Sequence, residues 1–155
     1  DTELGRELQA MAPAIVSRRA GPRFLGYMQA QRERLLGLRG GKHTNRPELI
    51  AEHGYDTKYA MHMVRLGFQG VELLRTGRIT LPMPGVSAEF CRSVRRGERS
   101  RDEAVAKAEL LEGELKSLTD DGPLSRAPDE EAVNDWLHSV YQRMWQSRPA
   151  GDPDV

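Results

Sequence analysis

The alternation of apolar and polar positions over residues 56–76 predicts one helix that is apolar around most of its circumference. Asp56 is a suitable N-cap residue, and Gly77 stands where a glycine commonly ends a helix. At about 100° per residue, most of the polar side chains fall on one narrow stripe, which consists of Lys58, His62, Arg65, Gln69, Glu72 and Thr76. Arg75 is the main exception. A helix with so little polar surface packs against neighbours on several sides. We therefore expect residues 56–76 to form the centre of the fold.

Two glycines interrupt this helix, and each costs about 1 kcal/mol relative to alanine in a helix interior. Gly67 and Gly70 therefore indicate that another backbone passes close by. The polar stripe must either reach water through a cleft or face a ligand. Its cationic half, formed by Lys58, His62 and Arg65, is the first candidate for function.

Similar periodicity and capping signals predict the other helices, at about 3–11, 22–39, 46–53, 87–94, 100–118 and 128–145. Asn45 and Ser87 are candidate N-caps, and Ser100 with Glu103 forms a capping box. Aromatic and aliphatic residues at helical spacing in 128–145 predict a face in the core. The prediction is an all-α fold with a single helical domain, residues 1–146, of five to seven helices around a central buried helix (about 56–76). Residues 147–155 are predicted to be a disordered tail.

The composition excludes some classes of function but does not identify one. The chain has 155 residues, of which 30% are charged, and no apolar run approaches the roughly 20 residues of a membrane span. The single cysteine, Cys91, excludes an internal disulfide and fits a reducing, cytoplasmic location. No signal peptide is visible, and the Asp-Thr-Glu start without methionine leads us to expect a trimmed or excised piece of a longer protein.

The zero net charge conceals an asymmetry between the two halves. Residues 1–80 carry 13 Lys and Arg against 8 Asp and Glu, whereas residues 81–155 carry 10 against 15. A basic first half suits contact with phosphate or nucleic acid, although ordinary surface charge explains a difference of this size equally well.

Few residues have the pattern of a catalytic or metal site. The four histidines lack ligand spacing with each other or with Cys91, and no glycine-rich phosphate loop is present. What remains is a cationic constellation with tyrosines for base stacking, and the candidate substrate-binding residues are Lys42, His43, Arg46, Tyr55, Lys58, His62 and Arg65. Lys and Arg donate charge-assisted hydrogen bonds to phosphate oxygens. The alternative is a solvated face whose basic residues are incidental.

Residues 54–84, GYDTKYAMHMVRLGFQGVELLRTGRITLPMP, resemble the predicted nucleotidyltransferases of the DNA polymerase β superfamily found in bacteria and their phages. One branch of that family is associated with bacterial RNA repair. Residues 23–37, 45–62 and 95–112 resemble further segments of the same family in the same order.

The chain lacks the catalytic elements of the family that it resembles. Family members have an N-terminal half in which a Gly-Ser turn and strand carboxylates bind metal and nucleoside triphosphate. This chain has no Gly-Ser pair, and its one Asp-x-Asp is Asp152-Pro-Asp154. The resemblance therefore implies the C-terminal helical half of such an enzyme, with Mg²⁺ and nucleoside triphosphate as cofactors of the full-length protein. Neither is expected to bind this chain alone, and no transferase activity is expected from it.

The resulting hypothesis is a helical portion that helps to bind nucleoside triphosphate or an RNA acceptor through Lys58, His62 and Arg65. Its expected partners are a nucleotide or RNA and a missing N-terminal catalytic domain, with no membrane and a possible homodimer. The alternative is a non-enzymatic helical interaction module that binds RNA or a protein partner. A third hypothesis is a self-contained helical enzyme, but the sequence shows no acid–base pair that would support it.

Overall fold

The computed structural model describes residues 2–38 and 46–146, which form eight helices and no strand. In chain order they are α1 (Glu3–Ala10), α2 (Ala12–Ile15), α3 (Ala20–Leu35), α4 (Pro47–His53), α5 (Thr57–Thr76), α6 (Gly85–Arg95), α7 (Arg101–Asp121) and α8 (Glu130–Gln146). The prediction of an all-α fold in one helical domain is confirmed. The described residues hold one helix more than the predicted maximum of seven, because residues 3–15 form two helices instead of one. The predicted tail, 147–155, lies outside the described residues.

Helix α5 is central because α3, α6 and α7 all pack against it. Its ends lie where the capping residues predict them. The Asp56 carboxylate accepts hydrogen bonds from the backbone N–H of Lys58 (3.0 Å) and of Tyr59 (3.2 Å). Gly77 ends the helix with a φ of +75°, in the left-handed region that favours glycine. Between these caps lie eight buried residues: Thr57, Ala60, Met63, Val64, Gly67, Gly70, Val71 and Leu74.

Side chains of α3 and α7 pack directly against the two glycines of α5. A Cβ atom at Gly67 would lie 2.9 Å from the Leu111 side chain, and one at Gly70 would lie 2.8 Å from the Phe24 ring. The predicted close contact is therefore present, although side chains of the neighbouring helices, rather than their backbones, fill the space. Phe24 lies beside Gly70, and Met28 lies beside Gly67. Because a later residue of α3 contacts an earlier residue of α5, the two helices are antiparallel.

Several predicted helix ends were wrong by a few residues. Helix α3 begins at Ala20 rather than 22 and ends at Leu35 rather than 39. Helix α6 begins at Gly85, directly after Pro84, so Ser87 lies in its first turn and is not its N-cap. The N-cap of α4 is Arg46, and the candidate cap Asn45 lies outside the described residues. The capping box of Ser100 and Glu103 is present at the start of α7.

The prediction that the aromatic face of the last helix lies in the core was wrong. No residue of α8 is buried, and Trp145 is 67% exposed. Helix α8 packs against α2, and its Trp136 and Arg143 bind Glu7 of α1. Helical spacing of aromatics identified an amphipathic helix, but it could not specify how many neighbours would cover that face.

None of the helices within residues 2–38 and 46–146 is both long and apolar enough to cross a membrane.

Candidate functional site

The N-terminal half of α5 and the C-terminal half of α3 together present a group of basic side chains, which we call the cationic face: Arg34, Lys58, His62 and Arg65. Three of them share one side of α5 through their 4- and 3-residue spacing. Arg34 joins them because α3 runs antiparallel to α5, which brings the end of α3 beside the beginning of α5.

Arg65 and His62 are in direct contact, with 2.9 Å between Arg65 Nη2 and His62 Nδ1. A guanidinium can only donate, so Nδ1 accepts this hydrogen bond. The His62 imidazole is therefore the neutral tautomer that carries its proton on Nε2. Partial burial lowers the pKa of His62, and the nearby charges of Arg65, Arg34 and Lys58 lower it further.

Within residues 2–38 and 46–146, all the charged groups that act on the pKa of His62 are cations. Among the described residues, the side chains of Lys58 and Arg34 have no hydrogen-bond or ion-pair partner. The cationic face therefore has unneutralised charge and free donors, the combination that binds phosphate oxygens.

The other half of the polar stripe has a structural role. Glu72 accepts a hydrogen bond from the backbone N–H of Thr80 at 3.0 Å, which holds the segment after α5 against the helix. The Thr76 hydroxyl donates to the Glu72 carbonyl at 2.8 Å. The stripe thus divides into a cationic part, in which Lys58 and Arg65 are exposed, and a part that binds the chain's own backbone.

Two of the other candidate residues serve the fold. Arg46 Nη1 lies 2.9 Å from Asp56 Oδ2, and its guanidinium covers the Tyr59 ring at 5.1 Å from the ring centre. It thereby supports the N-cap of α5. Tyr55 is only 6% exposed and donates its hydroxyl to the Arg99 carbonyl at 2.5 Å, so its ring offers no open surface for base stacking. Burial, with a smaller effect of the Glu103 charge, raises the pKa of Tyr55.

Lys42 and His43 lie outside the described residues. Arg34 was missing from the predicted site, although it lies within the predicted second helix. Its neighbour His62 is 28 positions away in the sequence, so only the pairing of α3 with α5 brings it to the site.

The described residues do not form a ligand set for the Mg²⁺ that the resemblance implies. Within residues 2–38 and 46–146, no three His, Cys, Asp or Glu residues lie close enough together to hold a metal ion. The chemistry that the cationic face itself can supply is anion binding and, through His62, the uptake of a proton.

Comparison with known proteins points to the same family as the sequence resemblance. Residues 1–139 match the family model RlaP, described as the RNA repair pathway DNA polymerase beta family. No curated protein and no solved structure matches the chain significantly. The match covers most of the chain and includes α1–α7 and the whole cationic face. This chain therefore belongs to the RNA repair pathway DNA polymerase beta family.

Proposed function

We propose that the cationic face binds phosphate groups of a nucleoside triphosphate or an RNA acceptor, as the helical portion of a polymerase-β-type nucleotidyltransferase. The observation that carries the proposal is the sign of the charges around His62. Arg34, Lys58 and Arg65 all act on its pKa, and no carboxylate of the described residues does. The family gives the biochemical context, since its members are related to nucleotidyltransferases of RNA repair.

The cationic face can bind a phosphate with groups from two helices. Lys58 and Arg65 donate from α5, and Arg34 donates from α3. The Nε2–H of the neutral His62 ring is a fourth donor, and a bound phosphate also stabilises the protonated form of His62. In such a protein, the metal-dependent step belongs to carboxylates outside the described residues, and the role of this chain is to position the phosphate groups.

The test is titration of the 155-residue chain with MgATP, MgGTP and a short single-stranded RNA at low and at moderate salt. Lys58→Ala/Arg65→Ala removes two donors from the cationic face. Arg6→Ala/Arg78→Ala is the matched control, because it removes the same charge from exposed residues. Arg78 follows the C-terminal end of α5, whose last residue, Thr76, is about 27 Å from Lys58 at 1.5 Å per residue.

We expect at least one phosphate ligand to bind more weakly as salt rises. For single-stranded RNA, loss of two contacts should reduce the salt-dependence slope by about 1.4. The control variant should bind as the wild type does. Absence of binding to all three ligands, or equal affinity of both double variants, would contradict the proposal.

A second candidate is a non-enzymatic module that binds a protein partner, and the exposed apolar face of α8 favours it. Tyr141, Met144 and Trp145 are each more than half exposed. Such a face commonly marks an interaction surface. Light scattering over a range of concentrations tests whether that partner is a second copy, and a strict monomer at high concentration would count against this.

A further inference from the structure

A second basic surface runs along the outside of α3 and ends at the cationic face. Arg19, Arg23, Tyr27 and Arg34 are spaced so that, at about 100° per residue, they fall within about 80° of the helix circumference. We call these four residues the arginine–tyrosine stripe. Arg19 and Arg23 are exposed, and Tyr27 is 63% exposed. The large aromatic ring therefore lies in water between arginines, where it contributes little to the core.

Small residues lie between the members of the stripe. Gly26 and Ala30 occupy the same side of α3, and a Cβ added at Gly26 would meet no atom within 4 Å. The helix backbone is therefore bare beside Tyr27, which leaves room for a flat group to stack on the ring. The flanking carboxylate of Glu33 accepts a hydrogen bond from Gln29 at 3.2 Å.

At its N-terminal end the stripe leads into a cavity of about 410 Å³, where three arginines, Arg18, Arg19 and Arg126, outnumber the one acidic lining residue, Asp120. Arg18 donates through Nη1 to the Asp120 carbonyl, while its buried Nε has no partner in the described chain. Arg19 pairs with Glu130 at 3.5 Å, but both side chains are largely exposed, so solvent screens this pair strongly. The arginines of this cavity thus keep much of their capacity to bind an anion.

The stripe connects this cavity with the cationic face because α3 and α5 are antiparallel. Arg19 and Arg34 are 15 positions apart, which corresponds to about 22 Å at 1.5 Å per residue. The triphosphate group of a single nucleotide is too short to contact the arginines at both ends. At the spacing of about 3.4 Å per nucleotide that a strand has in double-stranded DNA, this distance corresponds to about six nucleotides, and a more extended single strand would cover it with fewer.

We propose that the arginine–tyrosine stripe is the path of a single RNA strand, whose phosphates contact the arginines and one of whose bases stacks on Tyr27. The inference rests on the proposed function, since Arg34 belongs to both surfaces, and it extends that function by naming RNA as the ligand. A basic track with an interspersed aromatic ring is the arrangement that binds single strands without base-specific contacts.

The test is fluorescence anisotropy of the full 155-residue chain with labelled single-stranded RNAs of about 4 and about 12 nucleotides, a range of site sizes known for such surfaces. Arg19→Ala/Arg23→Ala removes two stripe arginines, and Arg6→Ala/Arg78→Ala is the charge-matched control. Tyr27→Ala and Tyr27→Phe separate the ring from the hydroxyl. All these residues are exposed, so circular dichroism should show an unchanged fold.

We expect Arg19→Ala/Arg23→Ala to weaken binding of the longer RNA at least tenfold and to lower its salt-dependence slope by about 1.4. Tyr27→Ala should weaken it at least about fivefold with an unchanged slope, whereas Tyr27→Phe should bind as the wild type does. The shorter RNA should be less sensitive to the arginine variant, because it can bind at the cationic face alone.

Unchanged affinity of the longer RNA in both Arg19→Ala/Arg23→Ala and Tyr27→Ala would overturn the inference. If Lys58→Ala/Arg65→Ala still reduced binding in that case, the proposed function would survive and only the path along α3 would be wrong. A poly-glutamate peptide that binds as tightly as RNA through the same arginines would also overturn it, since the surface would then recognise negative charge without regard to bases.

Discussion

Replacement of Gly70 by alanine tests the close packing of α3, α5 and α7, on which the position of the cationic face depends. The new Cβ would lie 2.8 Å from Phe24 Cγ and 2.9 Å from Leu115 Cδ2. Both distances are too short for carbon atoms, whose optimal separation is about 3.5–4.0 Å. The aromatic ring of Phe24 is rigid, so α3 or α7 must move to admit the methyl group.

Two opposing effects determine how Gly70→Ala changes the free energy of unfolding. Alanine is favoured over glycine in a helix interior by about 1 kcal/mol. Overpacking a core by one carbon costs about 1–3 kcal/mol. Gly70→Ala should therefore lower the free energy of unfolding by about 0–2 kcal/mol. Gly113→Ala on α7 is the matched control, because a Cβ there meets nothing within 4 Å, and it should raise that free energy by up to about 1 kcal/mol.

Urea unfolding followed by circular dichroism measures both variants. The difference between them isolates the overpacking cost of about 1–3 kcal/mol. In thermal unfolding, each kcal/mol corresponds to about 2–4 °C for a chain of this size. If Gly70→Ala stabilised the protein as much as Gly113→Ala does, the reasoning would be refuted, since α5 would not be in close contact with Phe24 and Leu115.

Three further predictions concern other parts of the fold. Ser100→Ala removes the capping box of α7 and should lower the free energy of unfolding by about 1 kcal/mol in urea titrations, and an unchanged value would show that the box contributes nothing. Burial raises the pKa of Cys91 from 9.0 to about 11, so native alkylation near pH 8 should be about 100-fold slower than in urea, and similar rates in both would contradict its burial. Hydrogen bonds from Arg143 and Trp136 lower the pKa of Glu7 from 4.5 to about 2, so the stability they add is complete above about pH 4.5 and is lost as the pH falls through about 2. Tryptophan fluorescence should report this loosening of α8, and Glu7→Gln should abolish that dependence on pH; the same transition in Glu7→Gln would assign it to other groups.

The sequence predicted the ends of α5 and the start of α7 because their signals are local. Asp56, Gly77 and Ser100 each satisfy backbone groups within a few residues, and such contacts can be recognised from spacing alone. The position of α8 depends on which neighbours cover it. Its aromatic residues have the spacing of a core helix, yet Trp145 is exposed. Periodicity gives the direction of an apolar face but not its burial.

The candidate site likewise contains residues that the sequence could predict and residues that it could not. Lys58, His62 and Arg65 lie on one face of one helix, so their proximity was predictable from 4- and 3-residue spacing. Arg34 comes from another helix and could be found only from the antiparallel packing of α3 and α5. The ion pair of Arg46 with Asp56 depends on the path of the chain into α4 and α5, for which the sequence has no periodic signal.

The most direct test of phosphate binding at the cationic face is the pKa of His62, measured by NMR in the free chain and with a single-stranded RNA of about 12 nucleotides. In the free protein, burial and the charges of Arg65, Arg34 and Lys58 hold this pKa below its usual value of 6.5. A phosphate beside the ring favours the imidazolium form, so we predict that bound RNA raises the pKa of His62 and that RNA binds more tightly as the pH falls through this pKa. The chemical shifts of His138, exposed on α8, are the internal control and should not change when the RNA is added at constant pH. An unchanged His62 titration in the presence of bound RNA, or an equal response of His138, would contradict the account.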